Sequence, residues 1–285
     1  MRFFYLLGLL LILHINSGAQ QSSLDILTEN FAFSIQTIDD FFDHFNFEPN
    51  TPAFKYIHSN YPNIKFDRKT VIFSLFDSKN ILWKNDDINK FASEFEMEDA
   101  PKLHFEQSGW YAVLHCKVVY QKKRRRLDLI MEAESVVGKT GTVGYKWSLL
   151  SIKAPFIHNS DTIEQPDSVH HFVKENSGSF LHPMSHAINF MNIDDLFRKG
   201  LTRTYFAKRT SCSDLDTLVN LIDSSKIKFL QVDSVSYSLF QLPNWIIEVK
   251  YFNREEKNSG WLISRLYSAS ENEKKKYLMD HLNIR

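Results

Sequence analysis

The side chains best able to do chemistry are gathered in two stretches. In "LHCKVVYQKKRRRLDLIMEAE" (Leu114 to Glu134), a histidine and a carboxylate, His115 and Glu132, flank five consecutive cations, Lys122, Lys123, Arg124, Arg125 and Arg126. An imidazole facing a carboxylate can act as an acid/base pair, because the carboxylate favours the protonated ring. The same two residues also serve as a cross-strand charge pair with no chemistry attached. Five clustered cations repel one another unless an anion offsets them, so the run reads either as the solvated tip of a hairpin or as a contact for an anionic partner.

The second stretch, "VHHFVKENSGSFLHPMSH" (Val169 to His186), holds four histidines, with His182 and His186 spaced to share one face of a helix. Zinc needs such imidazoles together with a carboxylate or thiolate. The His-Glu-x-x-His signature is absent and Pro183 favours a helix start just after His182, so no metal ligand is assigned. "GKT" at Gly138 to Thr140 lacks the upstream glycine of a phosphate loop, since position 133 is alanine. No Gly-x-Ser-x-Gly elbow is present, and no catalytic residue, cofactor or metal is expected.

Around these residues the chain alternates between helical and strand periods. Ile35, Ile38, Phe41, Phe42 and Phe45 recur at helical spacing after a cap at Ser34 or Thr37. A loop with Pro52 and Pro62 follows, and "DRKTVIFSLFDSKN" and "NDDINKFASEFEMED" then read as two further short helices, although Val71 to Phe73 would also suit a strand. From Ala112 the period becomes two. Ala112 to Tyr120 and Leu127 to Ala133 then pair about a turn between Lys123 and Arg124, which sets Tyr120 against Leu127 and His115 against Glu132. A two-residue slip sets Lys117 against Glu132 instead. "YKWSLLSIKAP" is a third strand, closed by Pro155.

The second half echoes the first. "NIDDLFRKGL" matches "TIDDFFDHFN", and the strand "WLISRL" at Trp261 matches "WSLLSI" at Trp147. Between the echoes lie a helix, "SDLDTLVNLIDSS", capped at Ser213, and the strands "KIKFLQVDSVSYSLFQL" and "NWIIEVKYF". Ser270 and Glu273 are spaced as the capping box of a C-terminal helix.

The expected fold is therefore α+β, with two tandem domains, each of N-terminal helices packed on a curved antiparallel sheet, closed by a C-terminal helix. The expected boundaries are a signal peptide over 1–19, a first domain over 20–155, a linker over 156–183 and a shorter second domain over 184–285. The signal reading rests on Arg2, the apolar run Phe3 to Leu13 and Ser17-Gly18-Ala19, with an uncleaved N-terminal anchor as the alternative. No later run is long enough to cross a membrane, so none is expected after signal removal.

The composition balances 34 basic against 34 acidic residues, which argues against a dedicated nucleic-acid binder. With 24 Phe and 11 Tyr the chain can fill sizeable cores. Its two cysteines, Cys116 and Cys212, either pair in an oxidising compartment or, for Cys116, sit buried in a strand as a small apolar residue.

Helices first, then a long antiparallel sheet whose last strand carries "YKWSLLSI" or "GWLISRL", resemble the nuclear transport factor two-like, cone-shaped α+β superfamily, which includes ketosteroid isomerases and polyketide cyclases. The resemblance covers Ser34 to Pro155 and Met184 to Ala269. It implies a sheet wrapped over helices, with a cleft for a small ligand or a docked protein. None of the isomerases' catalytic residues carries over. The function expected is that of an exported, periplasmic or extracellular, non-enzymatic binding module whose partner is an envelope protein, a glycan or a small ligand, with a ligand carrier or pocket enzyme as the alternative. Lys122 to Arg126, His115 and Glu132 are the candidate contact residues.

Overall fold

The computed structural model describes residues 35–137, 143–157, 181, 186, 190, 193–198, 205–210, 213–254 and 258–284. The signal peptide, Ser34, Gly138 to Thr140, His170, His171, His182, Cys212, the side chain of Ser213 and most of the expected linker lie outside them.

Four helices open the described chain: α1 (Ile38–Asn46), α2 (Pro52–Asn60), α3 (Arg68–Ser74) and α4 (Asn85–Glu94). Each of the first three starts where a short polar side chain accepts from the backbone of its first turn: Thr37, Thr51 and Asp67. At α1 the bond is reciprocal, because Asp40 accepts in turn from the Thr37 amide at 2.8 Å. The apolar stripe of α1 is fully used, with Ile38, Phe41 and Phe45 all 0 % exposed.

Next come β1 (Trp110–Tyr120), β2 (Lys123–Val137) and β3 (Val143–Lys153), then α5 (Asp195–Arg198) and α6 (Ser213–Asp223). The strands β4 (Ile227–Leu239), β5 (Trp245–Phe252) and β6 (Gly260–Ser268) and the helix α7 (Glu271–Leu282) complete the fold. The α+β class is as expected. In place of one sheet per domain, however, the strands among the described residues join in one six-stranded antiparallel sheet of order β3-β2-β1-β4-β5-β6.

The two three-stranded meanders meet along β1 and β4, from Trp110 opposite Leu239 to Tyr120 opposite Ile227. The physical reason lies in β1. One of its edges is taken by β2, and the other would leave a long row of backbone amides and carbonyls unpaired beside a face of Ala112, Leu114, Cys116 and Val118. Pairing with β4 satisfies that row and buries both apolar faces together.

The helices cover this common face. Its centre is filled with rings: Trp110 lies 5.3 Å from Phe42 and 5.2 Å from Trp147, and Tyr237 lies 4.8 Å from Trp261. The outer strands are sealed in matching ways. The Trp147 amide donates to the Leu181 carbonyl at 3.2 Å, and the Trp261 amide to the Ile35 carbonyl at 3.1 Å. Two residues on, Leu149 bridges Phe206 and Ile263 bridges Phe76, both in parallel. Gly260 makes the second seal possible: its φ is +101° and a Cβ there would stand 2.6 Å from the Ile35 oxygen. The echo between the two Trp-aliphatic strands is thus an echo of position.

On the opposite face α7 crosses the sheet, and its last residue Leu282, with Ile284 just beyond it, covers Tyr111, Val113, Ile130 and Leu150. Its capping box forms as expected between Ser270 and Glu273. Lys274, 6 % exposed, anchors it by donating to the carbonyls of Leu242 and Phe240 at 2.8 and 3.2 Å. Cys116 is a buried free thiol, and burial pushes its pKa up.

Two adjacent groups on α1 give stability opposite pH dependences. Burial, then the charges of Asp40, Asp39 and Glu48, push the Asp43 carboxyl up to about 6 from 3.8. Burial pushes His44 down to about 4 from 6.5. Asp43 is harder to ionise in the fold, so its contribution to stability is lost as pH rises from about 4 to about 6. His44 is harder to protonate, so its contribution is lost as pH falls from 6.5 to about 4. Asp43→Asn should raise the unfolding midpoint at pH 7 and give little gain at pH 4, measured by thermal melts. Equal gains at both pH values would refute this account.

Candidate functional site

The hairpin that joins β1 to β2 decides where the cations sit. Gln121 and Lys122 form its turn, with φ of 48° and 62°. Two consecutive left-handed residues make the tight turn whose twist matches the flanking strands. Tyr120 consequently pairs with Lys123 and His115 with Asp128, a register four residues away from the one expected. Of the five cations only Lys122 lies in the turn; Lys123 to Arg126 are the first residues of β2.

Residues paired across strands share a face. Val118, 0 % exposed on the helix-covered face, pairs with Arg125, so Arg125 and Lys123 extend the rim of that face. Arg124 and Arg126 fall on the outer face, beside Val119 and Lys117 of β1 and then Lys228 and Gln231 of β4. The cations are split between two faces rather than clustered at one tip.

His115 anchors the outer face. Its Nδ1 is 2.8 Å from Asp128 Oδ1 and 2.7 Å from Arg126 Nη2, and its Nε2 is 3.2 Å from Ser236 Oγ. Arg126 also donates from Nε to Asp128 at 3.1 Å. Burial alone would raise the Asp128 carboxyl, but the hydrogen bonds from His115 and Arg126 outweigh it and hold the group below its usual range. A proton on Nδ1 gives the order Ser236–His115–Asp128, with Nε2 able to accept from the hydroxyl. A proton on Nε2 instead leaves Nδ1 to accept from Arg126. Ser236 is 7 % exposed and pairs with Val113 and Lys250 in the sheet ladder. The polar row joins three strands through Asp128, His115 and Ser236.

Glu132 is elsewhere. It is 7 % exposed, far along β2, and accepts from Arg209 Nε and Nη2 at 3.0 and 2.6 Å. Arg209 also donates to the Tyr111 hydroxyl at 3.1 Å, and these acceptors raise its pKa. The expected His115–Glu132 pair is therefore replaced by His115–Asp128 and Arg209–Glu132.

The outer face also holds contacts that sequence reasoning missed. Lys117 pairs with Asp233 at 2.8 Å, and Lys228 and Ser234 line up with Val119 and His115. Nothing in the sequence pairs β1 with β4, so no local signal could have placed them there.

On the helix-covered side of the same end an open cleft of about 750 Å³ is walled by Phe190, Ile193, Phe197, Ile222, Phe229 and Val232, with Lys228 and Leu230 of β4 also at its lining. Phe197 and Phe229 stack at 4.7 Å. Arg198, at the rim, is ion-paired with Asp194 and Asp195. His186, from the histidine-rich stretch, is buried: it accepts from the Trp147 indole at Nδ1 over 3.3 Å, and its Nε2 meets Asp39 at 3.2 Å. Among the described residues no group of three or more His, Cys, Asp or Glu side chains could hold a metal, and no helix is long and apolar enough to cross a membrane. No family model, curated protein or solved structure matches this chain.

Proposed function

We propose that this chain is an exported, non-enzymatic binding module of the cell envelope, with a cone-like fold of the nuclear transport factor two-like kind built from two related halves, and that its partner docks at the hairpin end of the sheet. One observation carries the reading. The face of the sheet that wraps the helices is filled with Trp110, Trp147, Tyr237, Phe41, Phe45 and Phe91, all nearly inaccessible, whereas the open cleft and the cations lie together at the hairpin end. The matching seals at Trp147 and Trp261 support related halves. The charged, apolar and small residues of the first 19 positions support export.

A second reading, a small-ligand carrier or pocket enzyme, is favoured by the cleft itself, whose volume lies in the range of ligand sites and whose largely apolar wall carries Asp194, Arg198, Ser225 and Lys228 among its polar residues. Mild lysine-directed crosslinking in the native envelope, followed by mass spectrometry, separates the two. A recurring macromolecule attached through Lys117, Lys122, Lys123 or Lys228 supports the module. A co-purifying small molecule that is lost in Phe197→Ser supports the carrier. Crosslinks confined to the opposite end of the sheet sink both.

A further inference from the structure

On a chain whose formal charge is zero, residues 115–128 and 226–234 hold eight Lys or Arg against two Asp, a local excess of +6. Tertiary pairing assembles this excess from segments about a hundred residues apart. On the outer face Lys117 and Arg126 are pinned by Asp233 and Asp128, while among the described residues Arg124 and Lys228 show no ion pair. These two stand at the ends of one cross-strand row, Arg124–Val119–Lys228, so their backbones lie two strand spacings apart, about 9.6 Å. Arg124 and Arg126 are one strand repeat apart, about 6.8 Å. The result is a grid of cations spaced for successive charges on a linear chain.

The surroundings of the grid say what chain it would take. Next to the cations the exposed Ser234 and Gln231 offer hydroxyl and amide hydrogen bonds, and the apolar neighbours are the half-buried Val119 and Leu230, 40 % exposed. A lipid surface would gain from several large apolar side chains beside the charges, and Leu230 is a single one. A hydroxylated polyanion uses both features.

Resting on the binding-module reading above, we infer that the outer face of β2, β1 and β4 binds an acidic polysaccharide, whose carboxylate or sulfate groups meet Arg124, Arg126 and Lys228 and whose hydroxyls meet the Ser234 and Gln231 side chains beside them. Binding is electrostatic at an exposed surface, so it weakens as salt rises.

The test compares two double variants that remove the same charge from opposite faces. Arg124→Ser/Lys228→Ser strips the outer face; Lys123→Ser/Arg125→Ser strips the helix-side rim. Binding of oligogalacturonate and of heparin-derived oligosaccharides is measured by calorimetry, with neutral dextran as the control and vesicles with and without anionic lipid as a parallel arm. The outer-face variant should lose about tenfold or more in affinity while the rim variant stays within about threefold. Equal losses in both variants, no binding to either oligosaccharide, or binding only to anionic vesicles would overturn the inference. Circular dichroism and melting midpoints unchanged from the parent establish that each variant folds. If the outer-face variant still yields the same crosslinked envelope partner while the oligosaccharides fail to bind, the polysaccharide is wrong and the module reading stands.

Discussion

Trp110→Ala should cost the fold about 3–5 kcal/mol, the range for removing a large buried aromatic side chain. Trp110 is 2 % exposed at the start of β1, where the two meanders join. Its rings contact Phe42, Phe105, Trp147 and Tyr237 at centroid distances of 5.3, 4.9, 5.2 and 5.8 Å, and its indole donates to the Phe105 carbonyl at 3.1 Å. Backbone pairing with β4 holds the walls of the resulting hole apart, so collapse recovers little. Trp110→Phe keeps most of the packing and loses the indole donor, for which about 1 kcal/mol is expected. Urea unfolding of both variants is the check, and it bears on function as well. If this face of the sheet were a ligand chamber rather than a packed core, the alanine variant would unfold almost where the parent does.

Arg68→Met should destabilise by about 3 kcal/mol despite keeping a similar apolar stem. The guanidinium is 7 % exposed and works as a bracket. Nε donates to the Phe45 carbonyl at 3.0 Å, Nη1 to Met97 and Ala100 at 3.2 and 3.3 Å, and Nη2 to Pro101 at 2.8 Å. One side chain thus ties the end of α1 to the loop that leads into β1. Burial lowers its pKa and the charge of Glu48 partly opposes that shift. Methionine leaves four carbonyls without their donor. Lysine, a single point charge, cannot span the same fork, so Arg68→Lys should fall between the two. Limited proteolysis between Met97 and Phe105 supplies a local readout. A methionine variant that is as stable and as protease-resistant as the parent would mean that water satisfies those carbonyls unaided.

The candidate site was legible in its residue types and illegible in its arrangement. The five cations and His115 were visible as a charged run and a lone imidazole between two alternating strands. The turn was not, because Gln121 and Lys122 carry none of the Asn-Gly or Asp-Gly signal that usually marks two left-handed residues. Placing the turn two residues late moved every partner by four. The partner of His115 became Asp128 instead of Glu132, and Arg124 and Arg126 moved from a tip to a sheet face.

What the sequence by itself determined is local. Caps at Thr37 and Ser270, apolar stripes at helical spacing, and the alternation along β1 and β2 declare themselves within a few residues, because a capping bond or a strand's period is satisfied between near neighbours. The α+β class and the strand order follow from them, but α2 does not: its stretch reads as a loop because of Pro52 and Pro62, while Pro52 takes the first helical position, where its missing amide costs nothing. Only the tertiary structure decided that both meanders share one sheet, that Ser236 and Lys228 lie beside residues about a hundred positions earlier, and that Gly260 must let the chain approach Ile35. Alternation specifies which face of a strand is buried but not which strand lies beside it. That choice is made by the whole chain, where an unpaired edge and an uncovered apolar face are removed together.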